Sequence, residues 1–327
     1  MENIIITINP VSGDRTAPSF FAESVLPLLP AYDVGSVGDH STVILGSGDG
    51  TIHDIINAVH HPLAFVLVPC GTANALYSSL FPADPDRLQS LHAFLTNKPT
   101  RPLSIASTSI NTATPVLSVV VVSTALHASI LHHSEALRLS HPGLVRFKIA
   151  AQQNINKWYN ARVRLSPIPS LGVVQIYDPT NKSFVTLPDH SLVGPFAYFL
   201  STVNVDRLEP TFTIAPLART IPPPPSTCDL VVIRPLRDPS IPEDTPQARD
   251  AFVPTISNVL GAAYQDGAHV DLSIVEYIRC GGWEWIPDPD DPDAHLLCTD
   301  GAISHIPAHG IATCSIDPVQ HGFSVYA

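Results

Sequence analysis

The stretch GSGDGT, residues 46–51, places three glycines around one carboxylate, between a strand-like run and a helix-like run. Glycine lets the backbone take positive φ angles and lets a ligand approach the chain closely. We expect Gly46, Gly48 and Gly50 to make such a turn and Thr51 to cap the helix that follows. Free N–H groups and the dipole at a helix start attract anions, so the turn predicts a phosphate site.

Asp49 is unexpected in this turn, because a carboxylate repels phosphates unless a magnesium ion or an incoming proton offsets its charge. The residue is therefore a candidate metal-linked group or general base, with a turn-stabilising side chain as the alternative. Neither common nucleotide motif fits the stretch. A Walker loop needs a Lys-Ser/Thr pair after its last glycine, and the dinucleotide fingerprint needs glycine where Thr51 stands.

Two further turns follow strand-like runs. INPVSG, residues 8–13, contains Asn9, and VPCGTANAL, residues 68–76, contains Gly71, Thr72 and Asn74. The carboxyl ends of parallel strands meet at one crevice, and such folds bind ligands there. The three turns together predict one binding site.

Alternating strand and helix patterns position these turns. Residues 4–8, 41–45 and 65–68 have the composition of strands, and residues 20–29 and 52–59 have helical spacing of apolar side chains. A β-α-β-α-β order predicts a doubly wound parallel sheet, an α/β domain over residues 1–105.

The pattern of secondary-structure signals changes after residue 105. Short strand candidates at 173–177, 195–200 and 229–233 are separated by proline-rich turns. This pattern predicts a mainly antiparallel β-sandwich domain over residues 106–327.

Charge and cysteine content limit the function classes. A net charge of -12 argues against a nucleic-acid partner. The five cysteines are scattered without a CxxC pair, and the start of the chain reads as a strand rather than a signal peptide. A cytoplasmic protein is expected. Residues 115–131 are almost free of charge, but their β-branched and polar content favours a buried strand running into a helix over a membrane span.

Three motifs in order, NPVSG, GSGDGTIHDIIN and PCGTANAL, resemble the diacylglycerol-kinase catalytic domain of lipid kinases. SEALRLSHPGLVRF, APLART and CTDGAISH are similar to segments of the sphingosine-kinase branch. The resemblance covers nearly the whole chain, strongly in the N-terminal half and loosely after residue 170.

The resemblance implies an ATP- and Mg²⁺-dependent kinase that phosphorylates a lipid's primary hydroxyl group. Asp49 matches the residue that takes the hydroxyl proton, Arg138 and Arg146 match two arginines that reach the ATP phosphates, and Asp300 matches an aspartate near nucleotide and metal. The expected phosphate-binding residues of the three turns are Asn9, Ser47, Gly48, Gly50, Thr51, Gly71, Thr72 and Asn74.

The chain departs from the family pattern at four places. Residues 30–40 are too few for the additional strand and helix of the family, since such a crossover takes roughly a dozen residues. Ala302 replaces the glutamate of an Asp-Gly-Glu motif, and residues 128–131 lack two acids that would hold a sphingoid amine. Two extra residues lengthen the loop between Arg138 and Arg146.

The sequence thus predicts a lipid kinase with a sphingoid base as the first choice of acceptor and diacylglycerol, or another neutral lipid alcohol, as the alternative. A catalytically impaired lipid- or nucleotide-binding protein of the same fold is the competing class. The lipid is expected in an apolar pocket of the second domain, lined by residues 116–131, with transient contact to a membrane surface.

Overall fold

The computed structural model describes residues 4–29, 41–141, 143–317 and 321–327 of the chain. The strands in chain order are β1 (Ile4–Ile8), β2 (Ser41–Ser47), β3 (Leu63–Pro69), β4 (Thr100–Pro102), β5 (Ile105–Ile110), β6 (Val116–Ser118), β7 (Val121–Thr124), β8 (Ala161–Ser166), β9 (Gln175–Asp178), β10 (Ser183–Thr186), β11 (Ser191–Val193), β12 (Tyr198–Thr202), β13 (Cys228–Ile233), β14 (Val275–Cys280), β15 (Gly282–Pro287), β16 (Leu296–Thr299), β17 (Ala302–His305), β18 (Ala312–Asp317) and β19 (Ser324–Tyr326).

The helices are α1 (Ala17–Phe20), α2 (Asp49–Ala58), α3 (Ala75–Leu80), α4 (Gln89–Leu95), α5 (Ala125–Ala136), α6 (Val145–Asn154), α7 (Leu217–Thr220) and α8 (Pro246–Ala263). A π turn at Phe21–Val25 and a 3₁₀ turn at Leu26–Leu28 extend α1, so the helix expected at residues 20–29 is irregular. Pro27 contributes to this irregularity because it has no N–H to donate. The shortened segment at residues 30–40 lies outside the described residues.

The first sheet has the strand order β1-β2-β3-β19-β4. Its first four strands are parallel, with Ile4 opposite Thr42, Ser41 opposite Leu63 and Ser324 opposite Ala64, and only β4 is antiparallel. The sheet confirms the expected parallel α/β architecture.

Successive residues of β2 and β3 point to opposite faces of this sheet, as the two-residue period of a strand requires. Leu45 and Phe65 pack with Ile52 and Ile56 of α2 in the core that continues into the rest of the protein. The residues that alternate with Leu45 along β2 and with Phe65 along β3 face the opposite way. They pack in a second cluster that contains Phe21, Leu91 and Phe94 of the α1 and α4 segments. Helices therefore cover both faces, and the doubly wound prediction is confirmed.

Two antiparallel sheets form the remainder, with the orders β10-β9-β14-β13-β12-β7-β16-β17 and β11-β8-β15-β18-β5-β6. Their inner faces meet through aromatic side chains, with ring centroids 5.1 Å apart for Phe199 and Trp283 and 5.0 Å apart for Phe196 and Trp285. The predicted antiparallel sandwich is confirmed.

The C-terminal strand crosses back to the first sheet. β19 lies between β3 and β4, so the last residues of the chain complete the N-terminal sheet rather than the sandwich. The division into residues 1–105 and 106–327 stays a prediction, and it does not describe β19.

Residues 115–131 form β6, β7 and the start of α5, the expected strand running into a helix. Within the described ranges of the chain, no helix has the length and apolar character needed to cross a membrane.

Candidate active site

The backbones of the three predicted turns touch one another. A Cβ added to Gly71 would lie only 2.4 Å from the Cα of Gly48, and one added to Gly13 would lie 2.4 Å from the carbonyl oxygen of Cys70. Any side chain at these positions would force the turns apart. The ends of β1, β2 and β3 therefore meet at one point, as the strand order implied.

Polar side chains join the first two turns. Asn9 Nδ2 donates to Thr51 Oγ1 at 3.2 Å, and the hydroxyls of Thr51 and Ser47 are 2.5 Å apart. Ser47 also donates to Ser12 Oγ at 3.4 Å. Three of the predicted phosphate-binding side chains thus belong to one hydrogen-bonded group.

Two expectations for the GSGDGT turn are wrong. Gly46, Gly48 and Gly50 have no positive φ; the glycine with φ of +54° is Gly13. Gly46 is small because a Cβ there would meet the Phe21 ring at 2.2 Å, whereas Gly50 has open space around it. Close packing, not backbone freedom, requires glycine at position 46, and neither requires it at position 50.

The helix cap is also displaced from its expected position. Gly48, in an extended conformation, is the N-cap of α2, and Asp49 is the first helical residue. Thr51 lies inside the first turn and donates its N–H to the Gly48 carbonyl oxygen at 3.2 Å. Its hydroxyl is therefore free to bond with Asn9 and Ser47.

The third turn is closed by its own asparagine. Asn74 has a left-handed backbone with φ of 52° and is the N-cap of α3. Its side chain accepts from Gly71 N and donates to Gly71 O, both at 2.8 Å. Thr72, which lies between these two residues, is exposed. Asn74 thus shapes the turn, while Thr72 presents a polar group to a ligand.

Asp49 connects the second turn to α3. Its carboxylate accepts from Ala75 N at 2.7 Å and from Leu76 N at 3.1 Å, the first two residues of that helix. Burial raises the pKa of Asp49 to about 6, and the charge of Asp300 adds to the rise, while the two N–H donors lower it. A carboxylate with such a pKa is ionised at neutral pH and basic enough to accept a proton in a reaction.

Asp300 lies in a buried turn between β16 and β17. Its carboxylate accepts from the backbone N–H groups of Val119, Val120 and Val121 at 2.7 to 2.9 Å. His53 Nδ1 is 3.6 Å from the same carboxylate. Asp300 is thus engaged in holding backbone, and Ala302, at the motif's glutamate position, is exposed.

Arg138 and Arg146 meet at one carboxylate. Arg138 Nε is 2.9 Å from Glu135 Oε1, and Arg146 donates to Glu135 Oε2 at 3.4 Å. The Arg138 side chain is 61% exposed, whereas the Arg146 guanidinium lies over the Phe147 ring, 4.5 Å from its centroid. The pairing with Glu135 is the alternative to phosphate contact.

A cleft of about 750 Å³ opens at the first and third turns. Gly13, Gly71 and Thr72 line it, together with apolar side chains that include Phe81 and Leu144. The residues that line the cleft include neither Asp49 nor any residue of the 116–131 segment that was expected to line a lipid pocket. Leu144 comes from the loop between Arg138 and Arg146, so residues of the α/β region and residues that follow it in the chain both line the cleft.

Three charged residues of this cleft were missed by sequence reasoning: Asp14, Asp84 and Arg87. Asp84 and Arg87 lie in FPADPDRLQS, a loop whose prolines and aspartates indicate only a turn. The sequence signal that could have identified these residues is a charged side chain soon after a phosphate-binding turn.

The described residues contain no group of three or more His, Cys, Asp or Glu side chains arranged to hold a metal ion. This is compatible with magnesium, which usually binds proteins through one or two carboxylates together with substrate phosphates. Asp14 and Asp84 are the carboxylates that line the cleft. They already accept hydrogen bonds, from Thr16 N at 3.1 Å and from Gln89 N at 3.0 Å respectively.

Comparisons with known proteins agree with this geometry. Residues 34–107 match the sequence model of the diacylglycerol kinase catalytic domain. No curated protein matches the chain in sequence.

Three solved structures from Bacillus anthracis str. Sterne share the fold: a diacylglycerol kinase with a TM-score of 0.54 and two candidate diacylglycerol kinases with TM-scores of 0.56 and 0.57. Their identities to this chain are 10%, 11% and 12%, and each comparison covers 100% of this chain and 97% of the other. At these identities the likeness shows the two-domain fold alone.

Proposed function

We propose that the protein is an ATP-dependent kinase that phosphorylates the primary hydroxyl group of a lipid alcohol. The observation that carries the proposal is the backbone contact between Gly48 and Gly71 beside Asp49, within residues 34–107, which match the catalytic-domain model. Phosphoryl transfer depends on positioning and charge neutralisation more than on covalent chemistry, and the meeting of the three turns fits the first requirement.

The glycine turns fit the phosphates of a nucleotide. Glycine at positions 13, 48 and 71 lets the backbones of the turns approach one another, and Gly13, Gly71 and Thr72 line the cleft. Asn9, Ser47 and Thr51 hold the first two turns together. Bound ATP supplies the phosphoryl group, and its magnesium ion neutralises the phosphate charge.

Asp49 is the proposed general base. With a pKa of about 6 the carboxylate is deprotonated at pH 7 and takes the proton from the acceptor hydroxyl as the new O–P bond forms, while the bond from the γ-phosphorus to the bridging oxygen breaks and ADP leaves. The N–H groups of Ala75 and Leu76 fix the orientation of the carboxylate. Charged Asp49 and the phosphates would repel each other, which favours proton uptake during the reaction.

Two acceptor classes follow from the sequence. Resemblance to sphingosine kinases favours a sphingoid base, whereas residues 128–131 provide no carboxylate for its amine. Ala128 and Ser129 are buried in α5, so this segment offers a cation no counter-charge. A neutral acceptor such as diacylglycerol therefore becomes the better fit to the structure.

A binding protein without catalysis is the second candidate. It is favoured by Ala302, which removes a carboxylate, and by the engagement of both Asp49 oxygens by backbone N–H groups. Such a protein would bind ATP and transfer nothing.

The test is transfer of phosphate from labelled ATP to a panel of sphingoid bases, ceramide, diacylglycerol and monoacylglycerol in mixed micelles. Wild type is compared with Asp49→Asn and with Asp54→Asn, which changes an exposed carboxylate on the same helix. We expect transfer to one lipid class, a loss of about 10²- to 10⁴-fold in Asp49→Asn and no loss in Asp54→Asn.

ATP binding without transfer to any lipid, in folded protein, would favour the binding protein. Equal transfer by wild type and Asp49→Asn would remove Asp49 from the mechanism. A partial loss shared by both variants would indicate a general charge effect on the helix.

A further inference from the structure

Among the described residues that line the glycine-turn cleft, Arg87 is the single lysine or arginine. It lies between α3 and α4, in the loop PADPDR, with a left-handed backbone of φ 61°. The cleft also presents Gly13, Gly71 and Thr72 from two of the three turns. A permanent positive charge thus faces the turns that are proposed to bind phosphate.

The guanidinium group is held by stacking. Its central carbon lies 4.1 Å from the centroid of the Phe20 ring, a contact typical of a cation over an aromatic face. Among the residues that the structure describes, no hydrogen bond or ion pair engages this guanidinium, although an arginine carries five N–H donors. The side chain is therefore oriented while its donors stay available to a ligand.

The two arginines indicated by the family resemblance are in a different state. Both Arg138 and Arg146 are paired with Glu135, and neither lines the cleft. Releasing them toward a phosphate would cost the contact with Glu135. Arg87 needs no such rearrangement.

Two carboxylates share the cleft with Arg87. Asp14 accepts from the N–H and hydroxyl of Thr16, and Asp84 accepts from Tyr77 and from Gln89 N. Both are fixed by these local donors and neither forms an ion pair with Arg87 in the described chain. Their presence suits a nucleotide that arrives with a divalent cation rather than a bare anion.

We propose that Arg87 binds the triphosphate chain of the nucleotide in this cleft. The inference rests on the proposed function, because it assumes that the cleft takes a nucleoside triphosphate. A planar, permanently charged guanidinium suits phosphate oxygens better than a flexible ammonium group does, since it donates two parallel hydrogen bonds.

The test measures binding of three probes, ATP with magnesium, tripolyphosphate and adenosine, by titration calorimetry. The proteins are wild type, Arg87→Gln, Arg87→Lys and the control Arg164→Ala, which removes an exposed arginine on the sandwich. We expect Arg87→Gln to lower the affinity for ATP and for tripolyphosphate at least tenfold and Arg87→Lys to lower both affinities less. The affinity for adenosine should be the same in every protein.

The outcomes separate the inference from the function. If wild type binds neither ATP nor tripolyphosphate, the nucleotide proposal fails and the inference fails with it. If wild type binds ATP and Arg87→Gln binds it equally well, Arg87 is excluded and the kinase proposal stands. A loss confined to adenosine would assign Arg87 to the base and overturn the phosphate contact.

Folding of the variants is checked by thermal unfolding. Phe20→Leu serves as an independent variant, because it keeps the charge and removes the aromatic ring beneath it. Phe20→Leu is expected to lower the ATP affinity by a smaller factor than Arg87→Gln does. If Phe20→Leu binds ATP as wild type does while Arg87→Gln loses binding, the charge of Arg87 is needed for binding and its stacking on Phe20 is not.

Discussion

The turns around Asp49 and Asp300 use carboxylates in different ways. Asp49 is partly exposed and accepts two backbone N–H groups, from Ala75 and Leu76. Asp300 is buried and accepts three, from residues 119–121. Both residues therefore hold a distant piece of backbone, but only Asp49 keeps access to solvent.

The difference shows that a matching residue type does not settle a role. A carboxylate that acts as a base needs access and a lone pair that the protein has not used. Asp300 instead links the sandwich to the α/β region. Its carboxylate is close to His53, which lies on α2 one helical turn from Asp49. Asn57 on the same helix adds two hydrogen bonds to Leu117, at 2.9 and 2.8 Å.

The largest effect is expected on stability from Asp300→Ala. Three buried N–H groups would lose their acceptor, at roughly 1–3 kcal/mol each, so the free energy of unfolding should fall by about 3 kcal/mol or more. Urea denaturation at pH 7 measures it, with exposed Asp54→Ala as the control. A loss below about 1 kcal/mol would mean that other acceptors replace Asp300.

The second expected effect comes from the glycine turns. Gly71→Ala should lower the free energy of unfolding by about 1–3 kcal/mol and weaken ATP binding, because its Cβ would overlap the backbone of Gly48. Gly50→Ala is the matched control, with open space around the added carbon, and should change stability by less than about 1 kcal/mol. An ATP affinity of Gly71→Ala equal to that of wild type would argue against phosphate binding at this contact.

The third prediction is a pH dependence from Asp49. Since the base must be deprotonated, kcat/KM should fall tenfold for each pH unit below about 6 and stay level above it. In Asp49→Asn this acid limb should disappear from the residual activity. Rates with the lipid acceptor identified above, measured from pH 5 to 8, would provide the profile.

The same pKa predicts the sign of a stability change. The folded state binds the Asp49 proton more tightly than the unfolded chain, whose pKa is near 3.8. Stability relative to Asp49→Asn is therefore greatest below pH 3.8, decreases as the pH rises toward 6 and is constant above that. An increase of this difference with pH would contradict the raised pKa.

The smallest effect is expected from Arg138→Ala. The arginine is exposed and pairs with Glu135 three residues away on the helix, a contact usually worth less than about 1 kcal/mol. ATP affinity should stay within about fivefold of wild type, which corresponds to the same limit. A larger loss would mean that Arg138 leaves Glu135 for the phosphates when the nucleotide binds.

Much of the first region could be predicted from local patterns. The strands β1, β2 and β3 are apolar runs that end at glycine-bearing turns, so their order and the meeting of their ends follow from sheet topology. Helix α8 was not predicted, although Phe252, Ile256, Val259 and Ala263 have helical spacing after the cap at Thr245.

By itself, the sequence determined the parallel α/β sheet, the antiparallel sandwich and the three converging turns, because strand periodicity and glycine placement act over a few residues. Only the tertiary structure decided that β19 completes the first sheet, that Arg87 rather than Arg138 faces the cleft, and that Asp300 is used up by backbone N–H groups. These facts depend on contacts between residues far apart in the chain, which local patterns do not encode.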